Sequence, residues 1–464
     1  VSAPLIWIGL PALSALVFWF IRSRYSLVNL LAVLLSSALA LIAALMPIGE
    51  AVSIGPLKLQ VLPIFEFSGR RLVLDDPMRP FLVMVYLVCA FWFIGNASAK
   101  VGRFFNALAL GIVALLLAAL AVEPFLYAAL LVEMAVLLSV PIFSPPGRPF
   151  NSGVLRFLIF QTLAMPFILL AGWALAQVEA DPTNAVWMKL SVIFLGLGFA
   201  IWLAVFPFYS WIPMLAEQGH PYVSGFFLLF FTNANLMLGL KFLDRFGWLQ
   251  QDPSLFAGLR LMGILMIGTA GLLAAFQKNL SRLFGYAVIV ETGFSLLAVG
   301  LGNHLGNQVF AGMLLQRIFC FALWTLALSI LRGEAGTTQF EDVEGLANRL
   351  PFASAGLALA SLSVAGLPLL AAFPIRWVLM EELTHQSLVA GLAVLIGSVG
   401  VMFSTFRGLT ILARGSLIPQ AVKETRTQIF LLVMAMGAVI LFGVLPRFFV
   451  PMMFPVLNAF QNLP

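Results

Sequence analysis

Fourteen apolar runs of near-spanning length recur along the chain between short polar breaks, at 4–21, 27–48, 79–96, 104–122, 124–143, 153–178, 187–209, 221–243, 254–276, 283–302, 307–331, 352–380, 387–413 and 428–447. A bilayer core takes about 20 apolar residues per helix, so runs of this length confine the chain to a membrane. Lipid offers no hydrogen-bond partners, so each segment must satisfy its own backbone, and no alternating strand pattern with barrel-like turns is present. The expected fold is an all-α integral membrane protein of about fourteen transmembrane helices. With 62% hydrophobic and 9% charged residues in 464, against roughly 25% charged in soluble chains, a water-soluble fold is excluded and little room is left for a soluble catalytic domain. The run 5–21 lacks a preceding basic segment, since Arg22 and Arg24 follow it, and it reads as a retained first helix rather than a signal peptide.

The net charge of +6 does not point to nucleic acid, because most basic residues sit in short loops and report topology. Arg22, Arg24, Lys100, Arg103, Arg148, Lys278, Arg282, Arg332, Arg349, Arg407, Arg414, Lys423 and Arg426 follow odd-numbered spans, and fewer bases follow even-numbered ones. The positive-inside rule then makes the odd-to-even loops cytoplasmic and puts both termini outside, in what is expected to be a bacterial inner membrane. Cys89 and Cys320 lie inside apolar runs, and His220, His304 and His385 are far apart. No metal, haem or disulfide pattern is expected from such spacing. The longest extramembrane stretch, 49–77, is expected to hold a small hairpin of Val52–Ile54 against Lys58–Val61.

Two spans carry prolines at one spacing: Pro207 and Pro213 in the seventh, Pro368 and Pro374 in the twelfth. Each proline removes a backbone donor and clashes one turn back, so both helices should be broken there. Five spans also separate Leu131-Val132-Glu133 from Ile289-Val290-Glu291. Paired broken helices in corresponding halves mark an inverted repeat of five helices. The chain accordingly divides into 1–103 (N-terminal helices and outer loop), 104–243 and 254–413 (the two repeats) and 414–464 (C-terminal helix).

A charge at mid-bilayer costs roughly 2.5–3.5 kcal/mol on insertion scales, so one that is kept must face protein or water and find a partner. Glu133, Glu291, Arg317 and Arg376 are such charges. A carboxylate tuned by its neighbours can exchange protons. An arginine stays protonated and can only bias a carboxylate or gate water. Static ion pairs that fix helix packing are the other reading of the same four residues. Asn233 and Asn235 are placed to bond between helices, and Glu381, Glu382 and His385 are expected in a solvated loop at the outer surface.

These residues also carry a resemblance. The segments Leu-Val-Glu133-Met, Phe206-Pro-Phe-Tyr-Ser-Trp-Ile-Pro213 followed by Val223-Ser224, Gln277-Lys-Asn-Leu-Ser-Arg-Leu-Phe-Gly-Tyr286, Phe340 to Pro351, and Gly366-Leu-Pro368 resemble the antiporter-like membrane subunits of respiratory complex I and related multi-subunit cation/proton antiporters. The resemblance extends from about Leu74 to Pro446. It implies a fourteen-helix subunit carrying protons along a central polar axis, with a glutamate in helix five, lysines in helices seven and eight, and a lysine or glutamate in helix twelve. Glu133 matches the first and Arg376 stands at the last. Trp202 occupies the helix-seven lysine position and Thr232 or Asn233 the helix-eight one; Tyr209 and Met214 replace a histidine and an aspartate, and Glu291 replaces a glutamine or histidine. The implied partners are other membrane subunits of a complex I-like assembly, with surrounding lipid; NADH and quinone belong to the whole complex, and no cofactor to this chain. Three readings stay open: a rewired path through Glu133, Glu291, Thr232 and Asn233, a scaffold that has lost its channel, or a subunit of a related complex moving another species.

Overall fold

The computed structural model describes all residues except 55–56, 68, 146–150, 182–183, 251, 415–422, 461 and 464. Arg148, counted above among the loop cations, lies outside the described residues. A π-type turn (Leu5–Gly9) leads into α1 (Leu10–Phe20), followed by α2 (Tyr25–Leu45), α3 (Arg79–Ala99), α4 (Phe105–Ala121), α5 (Tyr127–Phe143), α6 (Ser152–Ala180), α7 (Ala185–Trp202), α8 (Trp211–Gln218) and α9 (Pro221–Arg245). Then come α10 (Gly247–Gln250), α11 (Pro253–Ala275), α12 (Leu280–Gly300), α13 (His304–Ala335), α14 (Pro351–Ala365), α15 (Phe373–Gln386), α16 (Leu388–Ala413) and α17 (Arg426–Val444). Among the described residues, ten helices are long and apolar enough to cross a membrane, and four shorter apolar ones accompany them: α1 with its π turn, α4, α5 and α14.

Burial sorts these helices into an inside and an outside. The apolar windows of α9, α12 and α13 are 94%, 100% and 89% buried, whereas those of α2, α6, α7, α11, α16 and α17 are 28–33% buried. A helix apolar on every side belongs in a core or against lipid, and the three central helices take the core while the others turn most of their surface to lipid. α12 packs on α8, α11 and α13, and α13 on α9, α14 and α17. With lipid as the competitor, helices associate through close backbone approach. Gly271 on α11 meets Gly397 and Gly400 on α16, and a Cβ at any of the three would fall 2.0–2.4 Å from a backbone oxygen.

Both proline-marked helices are interrupted. α7 ends at Trp202, Ala204 takes a left-handed φ of 52°, and the chain passes Pro207 into a 3₁₀ turn, Phe208–Ser210, before α8 starts. α14 ends at Ala365 on Gly366, whose φ of 88° is the left-handed cap that glycine accepts without strain, and Leu369 has φ 69°. Pro207 and Pro368 thus lie in the linkers. Pro213 and Pro374 sit in the first turns of α8 and α15, where no intrahelical donor is required.

The stretch between α2 and α3 holds more strand than the single hairpin expected from the sequence. β1 (Ala51–Ile54) pairs antiparallel with β2 (Leu57–Gln60), one residue earlier than expected for the second strand. A second hairpin of β3 (Ile64–Phe67) and β4 (Arg70–Val73) is extended by β5 (Val122–Glu123) at the end of α4, with Arg71 opposite Glu123. Cross-strand pairing therefore ties this loop to the bundle. Glu381, Glu382 and His385 are in the last turns of α15 rather than in a loop.

Candidate functional site

The buried charges meet where the second broken helix crosses the core. Ending α14 early leaves its last carbonyls without intrahelical donors. Arg376, in the first turn of α15, reaches back and donates from Nη1 to the carbonyl of Val364, placing a cation at the negative end of α14. Its other Nη lies 2.6 Å from Oε1 of Glu291 on α12, and its guanidinium stacks 4.1 Å over the Phe294 ring. Glu291 and Arg317 are each 1% exposed and Arg376 5%. At such depth an unpaired charge would be severely unfavourable.

The second oxygen of Glu291 is also engaged. Gln316 Nε2 on α13 donates to Oε2 at 2.9 Å, and Arg317 Nε stands 3.9 Å from the same atom. Arg317 further donates to the Glu291 carbonyl at 2.9 Å, to Ser295 Oγ, and to Asn233 Oδ1 on α9 at 2.7 Å. Next to this, Cys320 Sγ lies 3.2 Å from Ser363 Oγ, which accepts from the Ala372 amide in the linker of the broken helix. One carboxylate with two guanidiniums leaves a formal charge of +1. Protonating Glu291 would raise it to +2, so the cluster is cationic in either state of the carboxyl.

Four of the six residues singled out for a proton path are therefore together: Glu291, Arg317, Arg376 and Asn233. Thr232 is buried beside Asn233 but takes no part in the hydrogen bonding of the cluster. Glu133 stands apart. It lies half-buried on α5, which packs on α4 and α6, and accepts a hydrogen bond from Thr162 of α6 at 2.7 Å. Among the described residues Glu133 makes no ion pair, so the four membrane charges do not form one group. The Asn235 side chain bonds to nothing among the described residues, although both its amide atoms are buried. Gln316 and Ser295 give no signal in the sequence, because a neutral polar residue in a span is ordinary. Lys241, a lone lysine inside the run 221–243, is a readable signal that the motif comparison does not use.

Buried aromatic side chains are grouped on α6, α7 and α9. Trp202, 2% exposed, packs edge-on against Phe199 at 5.6 Å, and Phe227 stacks on Phe231 at 5.1 Å and meets Phe157 at 5.2 Å. Among the described residues no group of three or more His, Cys, Asp or Glu could hold a metal ion.

A broken α14–α15 pair whose freed carbonyl is capped by the same arginine that holds a buried carboxylate is a built site, and its sequence context is shared. Residues 177–404 match the profile described as NADH:quinone oxidoreductase/Mrp antiporter, TM. That match covers just under half of the chain. It runs from the end of α6 into α16 and contains every member of the charge cluster. A curated relative, the chloroplastic NAD(P)H-quinone oxidoreductase subunit 2 of Zygnema circumcarinatum, is 30% identical over 195 residues, which are 42% of this chain and 38% of the relative. Two solved structures are similar over nearly the whole length. A chain of the membrane-bound sulfane sulfur reductase, an archaeal respiratory membrane complex, superposes with a TM-score of 0.82 at 20% identity, covering 100% of both chains. A chain of respiratory complex I from Thermus thermophilus gives 0.74 at 21% identity, covering 99% of each. At these identities the solved structures establish the fold.

Proposed function

We propose that this chain is the proton-conducting, antiporter-like membrane subunit of a redox-driven complex of the complex I kind, holding no redox cofactor itself and working beside other membrane subunits. The observation that carries this reading is the cluster of Glu291, Arg376, Arg317, Gln316 and Asn233, which links three core helices to a broken helix at mid-membrane. A fixed pair would need only one arginine. Here the second arginine holds the cluster positive, so its occupancy by protons depends on how the broken helix places Arg376. The linker 366–372, with two residues at positive φ, is where that placement can change.

In this reading α7 with α8 and α14 with α15 each form one broken span, giving fourteen spans in all. Residues 104–243 and 254–413 are inverted five-helix repeats, 1–103 the N-terminal helices and outer loop, and 414–464 the C-terminal helix. Lys100, Arg332 and Arg349 face the cytoplasm and both termini lie outside, in a bacterial inner membrane. Glu133, half-exposed and bonded to the Thr162 hydroxyl, faces a neighbouring membrane subunit that supplies a polar or basic partner.

The test is proton pumping per electron by the whole assembled complex in liposomes, comparing wild type with Glu291→Gln. The amide side chain of this variant keeps the size of glutamate and an oxygen to accept from Arg376 or Gln316. A clear fall in the ratio with assembly and electron transfer intact is the expected result. An unchanged ratio would overturn proton conduction by this chain.

A further inference from the structure

Several basic side chains that take no part in the central cluster gather where helices end at one face of the bundle. Lys100, Ser144 and Gly219 close the ends of α3, α5 and α8, α9 begins at Pro221, and Arg332 stands in the last turn of α13. Between these helix ends lies a cavity of about 560 Å³, whose polar wall is Lys100, Ser144, Asn151, Gln218, His220 and Arg332. Phe104, Phe105, Ile142, Phe143 and Val223 make up much of the rest. Arg22 and Arg103 stand over the Phe104 ring, 5.6 and 5.4 Å from its centre. Sites for small ligands span roughly 300–1,000 Å³ and combine an apolar wall with a few polar groups in this way.

Charge decides what such a space can hold. Among the described residues lining the cavity none is acidic. The carboxylates nearest in sequence are already engaged: Glu217 pairs with Arg282 at 3.2 Å, and Glu334 with Arg349 at 3.3 Å and with Lys423. Neither Lys100 nor Arg332 has an ion pair among the described residues. Arg332 gives one Nη to the Gly219 carbonyl, which leaves further guanidinium donors. His220 Nδ1 and Ser144 Oγ are buried and bond to nothing among the described residues. α9 also starts here without a side-chain cap, so its first-turn amides are donors too. Unpaired cations and orphaned polar atoms around one cavity call for an anion with several acceptor oxygens.

We propose that this cavity is a phosphate-binding site, with Lys100, His220 and Arg332 around the phosphate oxygens. The ends of apolar helices mark the headgroup level of a bilayer, and basic pockets between such helices take the phosphates of anionic lipids. Phe104, Ile142 and Phe143 then lie against the glycerol and the first methylenes of the chains. Phosphate dissolved in water presents the same oxygens without the apolar part. Neither source requires the chain to conduct protons.

The test uses the full chain in detergent, stripped of lipid, with phosphatidylglycerol, the phosphate-free lipid diacylglycerol and inorganic phosphate as probes. Binding is read from the melting midpoint against probe concentration, and bound lipid is counted by native mass spectrometry. Lys100→Gln removes an exposed, unpaired charge from the cavity wall, and Lys278→Gln removes an exposed charge elsewhere. Arg332→Gln keeps a donor for the Gly219 carbonyl. We expect one phosphatidylglycerol to bind saturably and diacylglycerol not to. Lys100→Gln should loosen it about fivefold and Arg332→Gln roughly tenfold, with no change in Lys278→Gln. Saturation by inorganic phosphate alone, with the same ranking of variants, supports the site and assigns it to dissolved phosphate. Equal affinity for phosphatidylglycerol and diacylglycerol, saturation by neither phosphate probe, or equal loosening by Lys100→Gln and Lys278→Gln would overturn it. Should Arg332→Gln fail to fold, the contrast between the two lysine variants decides.

Discussion

The two regions around the broken helices solve one packing problem in opposite ways. In the α4–α9 region Trp202 and the rings of Phe157, Phe227 and Phe231 are buried, and Glu133 is half-buried with the Thr162 hydroxyl as its partner. In the α11–α16 region the centre holds Glu291, Arg317 and Arg376, each held in place by hydrogen bonds or ion pairs. Aromatic rings fill volume and need no counter-charge, whereas a buried charge survives only with its polar partners in place. A broken helix therefore does not by itself make a polar channel. What decides is whether the carbonyls freed at the break are met by a cation, as Val364 is by Arg376.

The sharpest way to break this contrast is to remove the anion. Glu291→Ala leaves two guanidiniums facing each other in the core, and the loss of a buried partner is worth roughly 3–5 kcal/mol. We expect the detergent-solubilised protein to lose its folded fraction, read by size-exclusion chromatography and thermal melting. Adding Arg317→Met and Arg376→Met should recover part of it. A single Glu291→Ala variant that melts like wild type would mean the cluster is hydrated and loosely coupled.

The opposite exchange puts a charge into the aromatic region. Trp202→Lys places an ammonium among Phe199 and its neighbours while Glu133 is bonded to Thr162, at a cost of roughly 2.5–3.5 kcal/mol. A lower melting midpoint and no gain in pumping are expected. Should the variant melt normally and pump more per electron, Glu133 can turn inward and the two regions differ only by one side chain.

The breaks are legible in the sequence because proline acts locally: its missing donor and ring clash are set by the residue itself, whatever surrounds it. That Pro213 and Pro374 begin helices rather than end them is not legible, since the same ring is neutral in a first turn and disruptive in an interior. The membrane charges can be read one by one and not as partners. Glu291 and Arg376 are 85 residues apart, and their meeting depends on how α12 and α15 are rotated about their axes, which apolar spans facing lipid and core alike do not encode. Glu133 shows the same gap from the other side, being as deep in its run as Glu291 is and only half-buried. The second hairpin and its β5 extension leave little trace in the sequence, because strands of two to four residues carry almost no periodic signal.

The smallest expected effect concerns the rim of the aromatic region. His220 precedes α9 and lines a cavity of about 560 Å³ with Lys100, Gln218 and Arg332. Burial pushes its imidazole down to about 4, Arg332 adds in the same direction, and a hydrogen bond with the Ala99 backbone opposes them. A histidine whose folded pKa is depressed is held neutral. Its contribution is intact above the unfolded value near 6.5 and is lost as pH falls from there towards 4, because the unfolded chain then binds the proton more readily. Melting midpoints of wild type should drop as pH falls from about 7 to 5, and His220→Gln should flatten that slope. Identical slopes in both proteins would assign the acid sensitivity to other groups and leave the aromatic region without a titrating residue at this rim.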